Sequence, residues 1–309
     1  MPAIIVDNIV KKYQIEKSEV IALKGVSFEV SKGELFGIVG PDGAGKTSLF
    51  RVLTTLLLAE SGHVKIEGLD VVTDYKKIRK LVGYMPGRFS LYQDLSVEEN
   101  LNFFATIFNT SILENYDLIK DIYQQIEPFK KRRAGKLSGG MKQKLALCCA
   151  LIHKPSILFL DEPTTGVDAV SRKEFWEMLQ RLKSQGITIL VSTPYMDEAS
   201  MCDRVALLQN GAILAIDKPD NINLQFNHPL WAVKASDMYA LLKKIKAWEA
   251  VYSCYSFGEY YHVVMKSDFT GSKEISEYLR DLKFQEVEVQ RIEANIEDSF
   301  MALMNTSHA

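Results

Sequence analysis

The stretch GIVGPDGAGKTS, residues 37–48, decides the fold of this 309-residue chain. It has the spacing G-x-x-x-x-G-K-[ST], in which Gly40 comes first and Gly45, Lys46 and Thr47 come last. Backbone N–H groups of such a loop approach anionic oxygens closely, and side chains at its turns would block that approach. A hydrophobic run precedes the loop, and a helix that follows would direct its partial positive charge at the anion. The stretch therefore predicts a strand, a phosphate-binding loop and a helix.

The side chains of this loop indicate a nucleoside triphosphate. Lys46 adds a full positive charge toward the β- and γ-phosphates, and the Thr47 hydroxyl is a hard oxygen ligand that suits Mg²⁺. The loop by itself does not specify which reaction follows. The predicted nucleotide contacts are Gly40, Asp42, Gly43, Ala44, Gly45, Lys46, Thr47 and Ser48.

A second motif, ILFLDEP at residues 157–163, narrows the chemistry. A buried strand delivers two carboxylates at its C-terminal end, which is where ligands bind in open α/β sheets. Asp161 suits the magnesium ion, directly or through water. Glu162 suits the attacking water as a general base. Both carboxylates are therefore candidate site residues for triphosphate hydrolysis.

The pattern around these motifs predicts two domains. Continuous apolar strands such as 156–160 and 187–193 alternate with helices, which is typical of a parallel sheet covered on both faces. The first domain is predicted over 1–218. A polar segment with two prolines, 219–230, is predicted as a linker. The remainder, 231–309, has the order βαββαβ and is predicted as a small α+β accessory domain.

Composition excludes several classes of protein. A net charge of −2 offers no basic field for nucleic acid, and 47% hydrophobic with 25% charged residues is ordinary for a globular protein. The N-terminal segment does not resemble a signal peptide, and no run approaches the roughly 18 apolar residues of a membrane span. We interpret the cysteines as small buried side chains in a reducing cytosol. They are Cys148, Cys149, Cys202 and Cys254.

A third motif, LSGGMKQKLAL at residues 137–147, predicts a second anion site. Ser138 can cap a helix, and Gly139 and Gly140 leave the N–H groups at the start of that helix uncovered. Two phosphate sites in one chain are explained if two chains pair head to tail. Each nucleotide would then contact the loop of one chain and, in trans, Ser138, Gly139 and Gly140 of the other.

With these motifs and TTGVD at 164–168, the chain resembles the ATP-binding-cassette (ABC) transporter ATPases over about residues 3–218. Within that family it is most similar to multidrug-efflux ATPases that serve ABC-2-type permeases. The similar stretches are GYMPGRFSLYQDLSVEENL (83–101) and VSTPYMDEA (191–199). The N-terminal cassettes of double-cassette members are the most similar, since they carry the same GPDGAGKT loop.

The resemblance implies a P-loop NTPase cassette with a mostly parallel sheet, an antiparallel β part and a helical subdomain at about 88–153 that meets the permease. ATP and Mg²⁺ are the implied cofactors. Tyr13 would stack on the adenine ring, although it is also explained as an ordinary strand aromatic. Asp168 would couple the two ATP sites at the dimer interface. The basic run at 130–133 is either a solvated face or a contact with lipid headgroups or a partner chain.

Two positions depart from the family pattern. The family has Gln where this chain has Gly87, and His where it has Pro194. Neither glycine nor proline has a side chain that can donate a hydrogen bond to a γ-phosphate. A water-orienting or acid–base group is worth about 10²–10⁴ in rate. We therefore expect retained ATP binding with weakened hydrolysis, unless water or neighbouring residues compensate.

The resulting hypothesis is an ATPase subunit that powers export of a small molecule by a separate permease, at the cytoplasmic face of the cell membrane. A second ABC cassette would complete the two ATP sites, with a heterodimer favoured and a homodimer possible. The alternative is a mainly regulatory ATP-binding cassette that completes a partner's site. A soluble ABC protein without a transport role is a third, less favoured interpretation.

Overall fold

A computed structural model describes residues 2–15, 18–266 and 271–306. The chain divides into two compact units, Met1–Pro219 and Asp220–Ala309. The strands of the first unit are β1 (Pro2–Ile15), β2 (Ser18–Ser31), β3 (Leu35–Val39), β4 (Ser61–Ile66), β5 (Leu69–Asp70), β6 (Val82–Met85), β7 (Ile157–Asp161), β8 (Thr188–Thr193), β9 (Arg204–Gln209) and β10 (Ala212–Asp217).

The central sheet of the first unit has the strand order β10-β9-β3-β8-β7-β6. The pairs from β9 to β6 are parallel, and β10 joins antiparallel through its hairpin with β9. All residues of β3, β7 and β8 are buried, as expected for strands covered on both faces. The mostly parallel sheet predicted from the apolar runs is confirmed.

A separate antiparallel sheet has the order β2-β1-β4-β5. Its apolar residues share one core with side chains of the central sheet and of the helix that follows the phosphate-binding loop. Phe28 of β2 stacks on Phe36 of β3 with ring centroids 5.4 Å apart. The expected antiparallel β part is therefore present and packs directly on the strand that leads into the loop.

The helices of the first unit are α1 (Lys46–Leu53), α2 (Tyr75–Leu81), α3 (Val97–Ile107), α4 (Tyr116–Tyr123), α5 (Gly139–Leu151), α6 (Ala169–Ser184) and α7 (Met196–Ala199). The region predicted as a helical subdomain holds α3, α4, α5 and short 3-10 turns at Glu127–Phe129 and Ala134–Lys136. Ser96 and Glu99 begin α3 with a capping box, in which each side chain accepts from the other residue's backbone N–H.

The next helix, α8 (Pro219–Leu224), begins at the last residue of the first unit and continues in the second. The other elements of the second unit are β11 (Leu230–Lys234), α9 (Met238–Lys246), β12 (Val251–Phe257), β13 (Tyr260–Met265), α10 (Ser272–Asp281), β14 (Glu288–Arg291) and α11 (Ile296–Thr306). Its antiparallel sheet has the order β12-β13-β11-β14. The succession from β11 to β14 is the βαββαβ order predicted from the sequence. Apolar residues of the sheet, α9 and α10 form its core.

The segment predicted as a linker, 219–230, is more ordered than its composition indicates. Residues Pro219–Leu224 form α8, and Leu230 already belongs to β11. Proline is favoured at the first position of a helix because its missing N–H would have no partner there. Ile222 is 1% exposed whereas Leu224 is 79% exposed, so the helix is packed on one face and solvated on another. Only the residues between α8 and β11 lie outside helices and strands.

All four cysteines are buried and carry free thiols, as expected for small apolar side chains. A membrane crossing needs a long apolar helix, and none occurs within residues 2–15, 18–266 and 271–306.

Candidate nucleotide-binding site

The phosphate-binding loop joins β3 to α1 at the carboxyl edge of the central sheet. Two of its glycines have no room for a side chain. A Cβ on Gly40 would lie 2.1 Å from the carbonyl oxygen of Leu208, and one on Gly45 would lie 2.4 Å from the carbonyl oxygen of Ala22. Gly45 also has φ of +109°, in a region that other residues rarely adopt. The path of the loop therefore requires glycine at both positions.

Lys46 is the first residue of α1 and is only 3% exposed. Its ammonium group donates to the carbonyl oxygens of Gly40, at 2.7 Å, and Pro41, at 2.9 Å. It also lies 3.0 Å from the Glu162 carboxylate. The structure thus brings the predicted phosphate-binding lysine and the predicted general base into one ion pair.

Asp161, the last residue of β7, is 1% exposed. The Ser192 hydroxyl donates to it at 2.7 Å, and the Thr47 hydroxyl also hydrogen-bonds to it. Burial raises the pKa of Asp161 above its ordinary value, although these hydroxyls oppose the shift. The two predicted magnesium ligands, Thr47 and Asp161, are therefore in direct contact.

Glu162 follows Asp161 with φ of +51°, an uncommon conformation for a residue with a side chain. Its backbone N–H holds this position by donating to Ser192, to the carbonyl oxygen at 3.1 Å and to the hydroxyl at 3.0 Å. The end of β8 therefore fixes the backbone of both carboxylates. Ser192 was not among the predicted site residues.

Tyr13, at the end of β1, lies beside the same loop. Its hydroxyl and that of Ser48 are 3.1 Å apart, and the Lys11 ammonium lies 5.4 Å from the centre of its ring. The aromatic side chain predicted to stack on adenine is thus a neighbour of the first turn of α1. Asp42 and Gly43 lie at the exposed tip of the loop, whereas Ala44 is buried.

The motif that begins α5 occupies a different surface. Ser138 caps the helix by accepting from the backbone N–H of Met141 at 3.4 Å. Gly140 packs against α6, since a Cβ there would lie 2.7 Å from the Ser171 hydroxyl oxygen. In the described part of the chain, no hydrogen bond joins Ser138, Gly139 or Gly140 to the chain's own phosphate-binding loop.

Asp168 caps α6 by accepting from the backbone N–H of Ser171 at 3.0 Å. That hydrogen bond lowers the pKa of Asp168. Asp168 is exposed. Its capping hydrogen bond gives it a local role in starting the helix, besides the coupling role that the resemblance implies.

Both departures from the family pattern lie at this site. A Cβ on Gly87 would lie 3.0 Å from the carbonyl oxygen of Asp161 and 3.8 Å from the Glu162 Cβ. Pro194 is half-buried and follows Thr193, whose carbonyl oxygen accepts from the Gly40 N–H at 3.2 Å. Position 87 therefore borders the backbone of Asp161 and the Cβ of Glu162, and position 194 borders the loop.

A second residue that sequence reasoning missed is Glu198, which is buried beside the end of β8. Ser192, the first missed residue, had a signal in the sequence, because Ser192 and Thr193 are polar residues at the end of an otherwise apolar strand. Glu198 lies in a short acidic run that is typical of an exposed turn, so nothing in its sequence context indicated burial.

A parallel sheet whose loop lysine and two strand-end carboxylates meet at its carboxyl edge defines a nucleoside-triphosphate-binding ATPase cassette. Residues 23–165 match the family model described as "ABC transporter". The chain belongs to the ABC transporter family of ATP-binding proteins, whose cassettes bind and generally hydrolyse ATP.

Two relatives show how far the similarity extends. The chain is 40% identical over 202 residues to the "Probable multidrug ABC transporter ATP-binding protein YbhF" of Escherichia coli K12, a match that covers 65% of this chain and 35% of that protein. It is 35% identical over 208 residues to the "ABC transporter ATP-binding protein NatA" of Bacillus subtilis, covering 66% of this chain and 85% of that one. The chain thus spans about a third of the length of YbhF.

Among solved structures, the fold is similar to an ATP-binding cassette in a dimeric post-hydrolysis state bound to ADP and Pi. The TM-score is 0.64 at 25% sequence identity, over 70% of this chain and 98% of that one. The family fold predicted from the motifs is confirmed.

Proposed function

We propose that this chain is the ATP-binding and hydrolysing subunit that powers a separate membrane permease, and that the transported cargo is a small molecule or drug. The observation that carries the ATPase part is the convergence of Lys46, Asp161 and Glu162 at one edge of the sheet, with Lys46 and Glu162 3.0 Å apart. The relative YbhF, whose name describes a probable multidrug ABC transporter ATP-binding protein, supports a drug-like cargo, and we propose that the cargo is exported.

Magnesium fits the residues beside the loop. Thr47 and Asp161 offer hydroxyl and carboxylate oxygens, which are the ligands this ion prefers, and substrate phosphates usually complete its coordination. Asp161 is buried, and burial raises its pKa, so a cation would stabilise its ionised form. When bound, the ion would neutralise charge on the phosphate oxygens. Lys46 would hold the phosphates, and Glu162 would accept the proton of the attacking water.

We propose further that hydrolysis at this site is weakened. Position 87 borders the backbone of Asp161 and the Cβ of Glu162, and a glycine there provides no polar side chain beside Glu162, the proposed base for the attacking water. Pro194 likewise offers no donor where the family has histidine. The ATP-binding groups themselves, from Gly40 to Ser48, depart nowhere from the motif, so binding should be affected less than turnover.

The proposed partners are supported by the family and by one surface of the chain. A groove of about 370 Å³ runs beside the helical region and is lined largely by apolar side chains, including Leu56, Phe104 and Phe108. Leu56 is 57% exposed, as expected for a surface that another protein covers. We propose that an ABC-2-type permease docks here, which would hold the chain at the cytoplasmic face of the membrane.

A second ABC cassette would pair with this one, and we favour a heterodimer. The intact Ser138–Gly140 motif lies away from the chain's own loop, so it is available to complete a partner's site. A heterodimer would combine one strong and one weakened ATP site, whereas a homodimer would carry two weakened sites. The basic run at 130–133 is largely exposed, and Lys130 lies 3.9 Å from Glu98. We propose that it contacts lipid headgroups or the partner chain.

The experiment that tests the proposal compares ATP hydrolysis by the purified chain with that of a Gly87→Gln/Pro194→His double variant. We expect a gain of about 10²-fold or more, since a positioned water-orienting or acid–base group contributes about that much. Gly87→Ala is the matched control, because it adds only the Cβ that crowds the Asp161 carbonyl. Equal, appreciable rates in wild type and double variant would refute weakened hydrolysis while leaving the ATPase assignment intact.

Two further measurements separate the alternatives. Glu162→Gln should abolish any basal hydrolysis yet retain ATP binding; loss of binding would contradict the assignment of Glu162 as the base. Purification of the chain from detergent-solubilised membranes should recover a permease. Recovery of ribosomes would favour the soluble, non-transport interpretation. Hydrolysis that occurs only with a second cassette, and at that cassette's site, would favour the regulatory alternative.

A further inference from the structure

Glu198 is a buried carboxylate that the ATP-binding motifs leave unexplained. It lies on α7, is 3% exposed, and uses both of its oxygens. Oε1 accepts from the Thr164 hydroxyl at 2.8 Å, and Oε2 accepts from the Thr193 hydroxyl at 2.5 Å. The Arg172 guanidinium approaches only to 3.9 Å. We call Glu198 with Thr164 and Thr193 the Glu198 clamp.

Burying a carboxylate costs free energy unless the carboxylate is well hydrogen-bonded. The arrangement in which both threonine hydroxyls donate to Glu198 is therefore strongly favoured over any other. Thr164 is 1% exposed and Thr193 is fully buried, which keeps water from replacing either hydroxyl. If either threonine moved, Glu198 would lose a charge-assisted hydrogen bond in a buried place. The clamp therefore holds its two threonines at a fixed separation.

One end of the clamp is tied to the phosphate-binding loop. Thr193 is the last residue of β8 and lies directly before Pro194. Its carbonyl oxygen accepts from the N–H of Gly40, the first glycine of the loop, at 3.2 Å. A shift of the loop on binding phosphate would therefore act on Thr193 through its backbone, while the Thr193 hydroxyl remains bonded to Glu198.

The other end reaches a different surface. Thr164 begins the segment 164–168, whose last residue, Asp168, caps α6. Ser171, in the first turn of α6, packs against Gly140 at the start of α5. The clamp thus connects the chain's own loop with the segment beside the Ser138–Gly140 motif.

We infer that Glu198 is a positioning residue that makes the segment 164–168 follow the occupancy of the phosphate-binding loop. This inference rests on ATP binding at that loop, as proposed above. It assigns to Glu198 a role at neither the phosphates nor the attacking water: the residue transmits the position of Thr193 to Thr164. A chain with weakened hydrolysis could still report its bound ATP to a partner by this route.

The test is hydrogen–deuterium exchange of the full chain, with and without Mg²⁺ and a slowly hydrolysed ATP analogue. In the wild type, the analogue should slow exchange both in 40–48 and in 164–168, the latter by about fivefold, the lower end of usual coupling between sites. Thr164→Val removes the hydroxyl with little change of shape and should leave protection of 40–48 unchanged while abolishing the response of 164–168. Thr164→Ser keeps a hydroxyl and should restore it.

Thr188→Val is the matched control for loss of a buried hydroxyl. Thr188 is the first residue of β8, is 2% exposed, and accepts from the Gly33 N–H at 3.0 Å, outside the clamp. This variant should respond as the wild type does. A merely structural role for the clamp would instead lower the melting temperature and weaken protection of 40–48 and 164–168 together.

Two outcomes overturn the inference, and a third overturns its premise. If 164–168 does not respond in the wild type although 40–48 is protected, the coupling is absent. If Thr164→Val responds fully, Glu198 does not carry the coupling. If the analogue protects neither segment in the wild type, ATP binding itself is refuted, and the proposed function fails with it.

Discussion

Ser192 offers the sharpest test of how the site is held together. Its hydroxyl donates to the buried Asp161 carboxylate at 2.7 Å and accepts from the Glu162 N–H at 3.0 Å. In Ser192→Ala the Glu162 N–H keeps the Ser192 carbonyl oxygen, at 3.1 Å, whereas Asp161 loses a charge-assisted donor. The substitution therefore removes one hydrogen bond from one carboxylate. The expected loss of stability is the contribution of that single hydrogen bond.

A hydrogen bond to a buried charged group is worth about 1.5–3 kcal/mol. Asp161 is 1% exposed, so water cannot readily replace the hydrogen bond that the Ser192 hydroxyl donates. A domain of this size loses about 2–4 °C in melting temperature per kcal/mol. We therefore expect Ser192→Ala to melt about 3–12 °C below the wild type at neutral pH.

The pH dependence has a definite sign. Burial already raises the pKa of Asp161 above the ordinary 3.8, and the Ser192 hydrogen bond opposes that shift, so Ser192→Ala should raise the pKa further. A raised carboxyl pKa in the folded state makes stability fall as the pH rises from the ordinary value through the raised one. The difference between wild type and variant should therefore be full above both raised pKa values and should shrink as the pH falls through them toward 3.8.

The assay is thermal unfolding followed by circular dichroism between pH 5 and pH 8, without nucleotide. Thr188→Val, on the same strand, is the control for loss of a hydroxyl distant from Asp161. A Ser192→Ala variant that melts with the wild type, or whose deficit does not shrink when the pH is lowered further to 3.8, would refute the view that Ser192 stabilises the ionised carboxylate.

Three further predictions concern other parts of the chain. Gly40→Ala should abolish ATP-analogue binding in equilibrium dialysis, because its Cβ would lie 2.1 Å from the carbonyl oxygen of Leu208; retained binding would show that the loop tolerates a side chain at this position. Asp298→Ala should destabilise the second unit by about 1–3 kcal/mol in denaturant unfolding. In the wild type the buried His262 ring lies 2.7 Å from the Asp298 carboxylate, and the substitution removes that partner. An unchanged unfolding midpoint would show that the pair is dispensable. Burial raises the pKa of every cysteine thiol, that of Cys254 to about 11, so a thiol-specific reagent at pH 8 should label the native chain slowly and the unfolded chain at all four positions; fast native labelling would contradict the burial.

The local parts of this protein were readable from its sequence. The phosphate-binding loop is contiguous, so one short stretch carries its glycines, its lysine and its hydroxyl together. The strands of the central sheet are continuous apolar runs because both of their faces are covered, and the second unit shows its βαββαβ order in the same way. The linker was predicted less well, because Pro219 can begin a helix as readily as interrupt a chain.

The sequence alone therefore determined the class of site, the loop that binds phosphate and the carboxylates that end β7. Only the tertiary structure decided which distant residues meet: Glu162 with Lys46, Ser192 with the Asp161 carboxylate and the Glu162 N–H, and Glu198 with Thr164. The physical reason is that parallel strands are joined by long crossovers. Neighbours in the sheet are then distant in the chain, and their register depends on packing that no local pattern records.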